Sequence, residues 1–137
     1  MLAERGWDVT GFDISDVAVG QARAQAQVRG LKMNAVVADG EKFDFGEERW
    51  DLVASIYTGV SRFDDVFRSL KPDGVWVVEA FHRDSFGGGF LTNELFSVFS
   101  ERMTVLYYED AVGRPDLTWV YPPKEFRYVR LVARKDR

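Results

Sequence analysis

The chain of 137 residues contains no cysteine and a single histidine. Without cysteine there is no disulfide, no thiolate nucleophile and no zinc–thiolate site, which fits a cytoplasmic protein. No apolar run approaches the roughly 20 residues needed to cross a bilayer, and Met1 is not followed by a basic-then-apolar leader, so no membrane association is expected. Metal-ligand spacings, a nucleophile elbow, a P-loop, internal repeats and low-complexity stretches are all missing from the sequence. The net charge of −4 offers no general attraction to nucleic acid.

What remains is the composition of a folded soluble protein, with 46% hydrophobic, 15% aromatic and 29% charged residues. The length suits one domain spanning 1–137. Charge is uneven: from Lys124 to the end there are six basic residues against two acidic ones. Such a tail either touches a phosphate or forms a charged outer strand that resists edge-to-edge aggregation.

The pattern alternates strand with helix. A short helical tail, Leu2 to Arg5, stops at Gly6, and a strand follows over 7–12. Residues 16–29 form a helix in which Val17, Gln21, Ala24 and Val28 recur at helical spacing, with Ser15 as a cap and Gly30 at its end. Small residues (Ala18, Gly20, Ala22) let that helix lie close to a sheet. Strands are expected at 34–39, 50–57 and 74–81, the last two read as buried on both faces. Helices are expected at 61–70 and 91–100, and KPDG at 71–74 as a turn. Two terminal strand-like stretches, MTVLYYEDAV and EFRYVRLVARK, suit an antiparallel pair joined by GRPDLTWVYPP. The fold class is therefore α/β, a mostly parallel Rossmann-like sheet with an antiparallel C-terminal hairpin.

Ligands of open parallel sheets bind beyond the carboxyl ends of the strands. Asp13 stands at such an end and suits a ribose diol, or else it or Ser15 simply caps the next helix. Asp39 stands in the same place one strand later, where a carboxylate can accept from an adenine amino group or form an Asp-Gly turn. His82 follows another strand end and suits a general base, or is a partly exposed loop residue. Tyr57 orients an acceptor or packs; Glu79 is a buried polar residue or a substrate contact. Arg62 and Arg83 are candidates for holding an anion, and the FGGGF stretch at 86–90 reads as a flexible substrate-side loop.

In order along the chain, GWDVTGFDIS, VVADGEKFDF, WDLVASIYTG and LKPDGVWVVEAF resemble the successive motifs of class I S-adenosylmethionine-dependent methyltransferases, in particular the tellurite-resistance and thiopurine methyltransferases. The resemblance implies that Asp13, Ile14 and Ser15 serve the ribose and adenine, and that Ala38, Asp39 and Gly40 serve the adenine. It further implies that Ile56 and Tyr57 line the methyl-transfer position. The implied cofactor is S-adenosylmethionine and the implied activity is methyl transfer to a small molecule. That family opens with a strand and a GxGxG turn, and the sequence begins after the place where these would stand. A truncated domain with weakened or lost cofactor binding is one expectation, and a homodimer or strand-swapped oligomer that covers open strand edges is another. A catalytically inactive remnant serving as an assembly module is the alternative function. A nicotinamide oxidoreductase is less suited, for it too needs the glycine turn.

Overall fold

The computed structural model describes residues 2–58, 61–85, 87–114 and 125–137. They divide into two compact units, Met1–Asp44 and Phe45–Arg137. In the first unit a single helical turn, Ala3–Arg5, leads to strand β1 (Val9–Asp13), helix α1 (Asp16–Val28) and strand β2 (Met33–Val37). β1 and β2 pair in parallel, with Asp13 opposite Val37. The caps expected of α1 are present: the Ser15 hydroxyl accepts the Ala18 N–H at 3.2 Å. At the other end the Leu31 N–H reaches the Ala26 carbonyl and the Gly30 N–H that of Gln27, a Schellman closure.

The inner face of α1 is not the stripe of Val17, Gln21, Ala24 and Val28. Val17 and Val28 are 64% and 88% exposed, whereas Val19 is buried at 3%, and Ala22 and Ala26 are half-buried on the same face. Small side chains bring this face close, and the Arg23 Nε–H then reaches the Ala35 carbonyl of β2 at 2.9 Å.

The second unit holds β3 (Trp50–Ile56), α2 (Phe63–Ser69), β4 (Leu70–Phe81), α3 (Glu94–Ser100), β5 (Met103–Gly113) and β6 (Phe126–Lys135). Its sheet runs β3-β4-β6-β5. β3 and β4 are parallel, and β6 is antiparallel to both β4 and β5. The expected antiparallel hairpin is therefore there, but β6 is no outer strand. It lies between β4 and β5, and its Arg127 and Arg130 pair with acids of the neighbouring strands, Asp110, Glu79 and Glu109. The joining stretch 115–123 and Lys124 lie outside the described residues.

Three further expectations are corrected. β3 is an edge strand with Asp51, Ala54 and Ile56 exposed, so it is not buried on both faces. KPDG does not separate a helix from a strand, because β4 already begins at Leu70. The turn is absorbed as an irregularity: Asp73 takes a φ of 63° and the pairing register with β3 shifts between Trp50 and Leu52. Helix α3 starts at Glu94 and not at 91, because Asn93 has a φ of 60° and the Leu91 N–H donates to the Glu94 carboxylate at 2.7 Å.

One face of the four-stranded sheet carries the core. Trp76, Val78, Leu131, Val129, Leu95 and Phe99 are all at or below 1% exposure. Trp76, Val78, Val129 and Leu131 alternate along β4 and β6 and meet Leu95 and Phe99 of α3 and the apolar side of α2. Burial of each large side chain contributes about 1.5–3 kcal/mol. The opposite face of β4, with Val75, Val77, Glu79 and Phe81, is half-buried. None of the helices among the described residues is long and apolar enough to cross a membrane.

Candidate functional site

The six candidates in the first unit come together at the carboxyl ends of β1 and β2. The Ala38 N–H donates to the Asp13 carbonyl at 3.0 Å, so the two strand ends leave the sheet side by side. Ser15, not Asp13, caps α1; Asp13 instead accepts the Ser15 N–H on Oδ1 at 2.8 Å. Asp39 makes the matching turn, accepting the Glu41 N–H on Oδ1 at 3.0 Å. Both residues thus fold their local turns through one carboxylate oxygen, and both sit at the surface. Ile14 is 75% exposed beside Asp13, an apolar side chain held out by the start of the helix. Gly40 lies against the Phe12 ring, whose own partner is Phe43 at a centroid distance of 4.1 Å. This set offers two carboxylates and an apolar contact, the chemistry that a ribose diol and a purine require.

In the second unit, Ile56 is 49% exposed at the carboxyl end of β3. Tyr57 follows with a φ of 55°, a left-handed conformation that a residue with a bulky side chain seldom adopts. Its N–H donates to the Glu79 carbonyl at 2.7 Å, and its phenol donates to the Glu79 carboxylate. The ring rests on Phe81 at 4.7 Å. Burial, then the bond to Glu79 and the charge of that carboxylate, push the phenol ionisation well above the ordinary tyrosine range. Burial would raise Glu79, but the hydrogen bonds from Arg130 and Tyr57 prevail and hold its carboxyl below the usual glutamate range.

These shifts predict a stability profile. A phenol whose ionisation is raised by folding stabilises the fold fully below about pH 10 and loses that contribution as pH climbs toward the folded value. Wild type should therefore lose denaturant stability from about pH 10 upward more steeply than Tyr57→Phe. Equal alkaline slopes in urea titrations would exclude the coupling.

His82 is only 2% exposed. Its Nδ1 accepts the Asp84 N–H at 3.1 Å, which leaves the proton of the neutral ring on Nε2, 3.2 Å from the Thr92 hydroxyl. The Asp84 and Asp110 carboxylates stand 3.3 and 3.9 Å from the two ring nitrogens. Arg127 binds both acids and Thr92 as well, with Nε 2.7 Å from Asp110 and a terminal nitrogen 2.8 Å from Asp84. His82 and Tyr57 therefore belong to separate clusters. The described part of the glycine-rich stretch is fastened rather than free: Phe90 N–H donates to the Phe81 carbonyl and Arg83 N–H to the Phe90 carbonyl. A Cβ on Gly89 would collide with the Phe81 and His82 backbone. Gly89→Ala should cost about 1–3 kcal/mol, read as a lowered midpoint of thermal unfolding; an unchanged midpoint would show that the loop gives way.

Arg62 is paired with Asp65 at 2.7 Å and Arg83 with Glu94 at 3.5 Å, so both cations already have a counter-charge. Sequence reasoning missed Arg130 altogether. Its Nε donates to Glu79 at 2.8 Å and a terminal nitrogen to Glu109 at 3.3 Å, while its guanidinium lies 4.4 Å from the Tyr128 ring centroid. Arg130 follows Glu79 by 51 positions. No local spacing could signal the pair.

The mixed α/β chain, with its parallel and antiparallel strands, is Rossmann-like, as solved methyltransferase structures are. Residues 1–74 match the family model described as the methyltransferase domain, and the chain belongs to that family. Among solved structures it is similar to TehB from Haemophilus influenzae, with a TM-score of 0.79 and 18% identity over 98% of this chain and 52% of that one. A SAM-dependent methyltransferase from Methanosarcina mazei gives 0.75 and 18% over 98% and 85% of the two chains. The N-methyltransferase NodS from Bradyrhizobium japonicum WM9 gives 0.70 and 15% over 95% and 74%. The chain thus spans about half the length of TehB. No curated protein matches it significantly.

Proposed function

We propose that the chain is an S-adenosylmethionine-dependent methyltransferase acting on a small molecule. The observation that carries this reading is the pair of carboxylates, Asp13 and Asp39, on neighbouring parallel strands whose ends are joined by the Ala38–Asp13 hydrogen bond. Asp13 holds the ribose hydroxyls, Asp39 takes the adenine amino group, and Ile14 covers the adenine face. Ser15, Ala38 and Gly40 shape the two turns. When bound, the cofactor supplies an electrophilic methyl group on a sulfonium, and its transfer needs alignment more than acid–base help. His82 serves the loop that follows β4, since both ring nitrogens are engaged there.

Calorimetric titration of the purified chain with S-adenosylmethionine and S-adenosylhomocysteine tests the reading. Saturable binding of both is expected. No heat at millimolar ligand would overturn it and leave a methyltransferase-like fold serving assembly.

A further inference from the structure

We propose that the Asp39–Gly40 step is a self-modifying site. In the folded chain the Gly40 amide nitrogen closes on the Asp39 carboxyl carbon, and the resulting imide reopens to isoaspartate, which weakens adenine recognition at that strand end. The modification stands on the geometry of the first unit alone. Its effect on ligand binding rests on the methyltransferase reading.

The sequence has two Asp-Gly steps, at 39–40 and 73–74. Glycine has no Cβ, so its amide nitrogen is the least hindered main-chain nucleophile. Exposure alone would favour the second step, because the Asp73 side chain is 48% exposed and that of Asp39 39%. The surroundings reverse that order. Asp39 Oδ1 accepts the Glu41 N–H at 3.0 Å, which turns the carboxyl group back over the Gly40 peptide. Among the described residues, a Cβ added to Gly40 would meet only the Phe12 ring, at an ordinary 3.5 Å. This peptide therefore has room to swing toward the carboxyl carbon.

Gly74 has no such room. It is buried, and an added Cβ would lie 2.8 Å from the Lys71 carbonyl oxygen and 3.1 Å from that of Trp50. Asp73 is held as well, for its carboxylate accepts from the Arg137 Nε at 2.9 Å. The two steps share one chemistry, and packing leaves it open only at 39–40.

The reaction needs no oxidant or second reagent. The nitrogen–carbon bond forms as a carboxyl oxygen leaves, and that oxygen departs as water with the amide proton and the acid proton. The five-membered imide then takes up one water. Opening at the side-chain carbonyl restores aspartate. Opening at the main-chain carbonyl routes the backbone through Cβ, which lengthens the main chain by one methylene and shortens the carboxylate arm by the same amount. The carboxylate then no longer reaches the Glu41 N–H, and the oxygen offered to an adenine amino group is displaced.

The test incubates the full chain for weeks at neutral pH and body temperature, folded and in urea. Trypsin releases residues 33–42 and 69–83, each with one Asp-Gly step, since Lys71 precedes Pro72. In the folded chain the 33–42 peptide should split into two species of equal mass, told apart by fragmentation at the isoaspartate Cα–Cβ bond. It should convert about tenfold or more faster than 69–83, the scale of one hydrogen bond in the barrier. In urea the two peptides should convert at similar rates. No conversion of 33–42 in the folded chain, or equal folded rates for both peptides, would overturn the proposal and leave the methyltransferase reading intact. Calorimetry with S-adenosylhomocysteine supplies the second readout. The converted chain, separated by ion exchange, should bind about tenfold or more weakly than the fresh chain, and saturating ligand should slow the conversion. Equal affinity of converted and fresh chains would overturn the effect on recognition. No binding by the fresh chain would overturn the methyltransferase reading and that effect with it, while the peptide readout still decides the modification.

Discussion

Replacing Trp76 with alanine should cost about 3–5 kcal/mol, the range for removing a large aromatic from a core. Trp76 is fully buried in the centre of β4. Its ring meets Phe99 edge-on at 4.8 Å and Phe63 at 5.3 Å, and its indole N–H donates to the Ser55 hydroxyl at 3.0 Å. The substitution opens a cavity between the sheet and two helices and removes the donor from Ser55. Folded domains hold only about 5–15 kcal/mol in total, so the variant should be largely unfolded or shifted by about 1 M or more in urea midpoint. Trp7, 43% exposed, is the control, and its alanine variant should stay within about 0.5 kcal/mol of wild type. If the two tryptophan variants lose similar stability, the assignment of the core is wrong.

The second large effect concerns the cofactor. Asp13→Ala should weaken S-adenosylhomocysteine binding by about 10- to 100-fold, because it removes charge-assisted hydrogen bonds to a diol, at about 1.5–3 kcal/mol. Asp13 is exposed and its side chain supports the fold through one bond to the Ser15 N–H. Circular dichroism of the variant should therefore match wild type. Asp13→Asn separates the two roles: it keeps an oxygen for the Ser15 turn and loses the charge. An affinity left unchanged by both substitutions would remove the ribose assignment.

Much of the first unit was legible because its signals are local. Ser15 and Gly30 bracket α1, and each does its work within five residues of its own position. The acids at 13 and 39 were visible because strand ends can be read from where apolar runs stop. Even so, the helical stripe of Val17, Gln21, Ala24 and Val28 pointed outward. Periodicity marks a face but does not say which face meets the sheet when alanines can pack closer than valines. Asn93 and Asp73 show a second limit, because a residue with positive φ moves an element boundary without any change in composition.

The second unit was less legible because its decisive contacts are distant in sequence. A chain that reverses from β5 into β6 can place the last strand outside the sheet or inside it, and the residues of the hairpin read alike in both cases. Insertion beside β4 turns a basic stretch into paired charges: Arg130 with Glu79, and Arg127 with Asp84 and Asp110. It also encloses His82, which from sequence alone read as a general base or a partly exposed loop residue.

Composition, periodicity and turn chemistry by themselves determined the α/β class, the order of the elements, the antiparallel ending and the two strand-end acids. Each of these rests on residues within one or two turns of chain. Only the tertiary structure decided that β6 is interior, that His82 is spoken for, and that Tyr57 gives its proton to Glu79. Those outcomes depend on which strands become neighbours, and pairing is settled by the burial of a whole sheet face rather than by any short stretch.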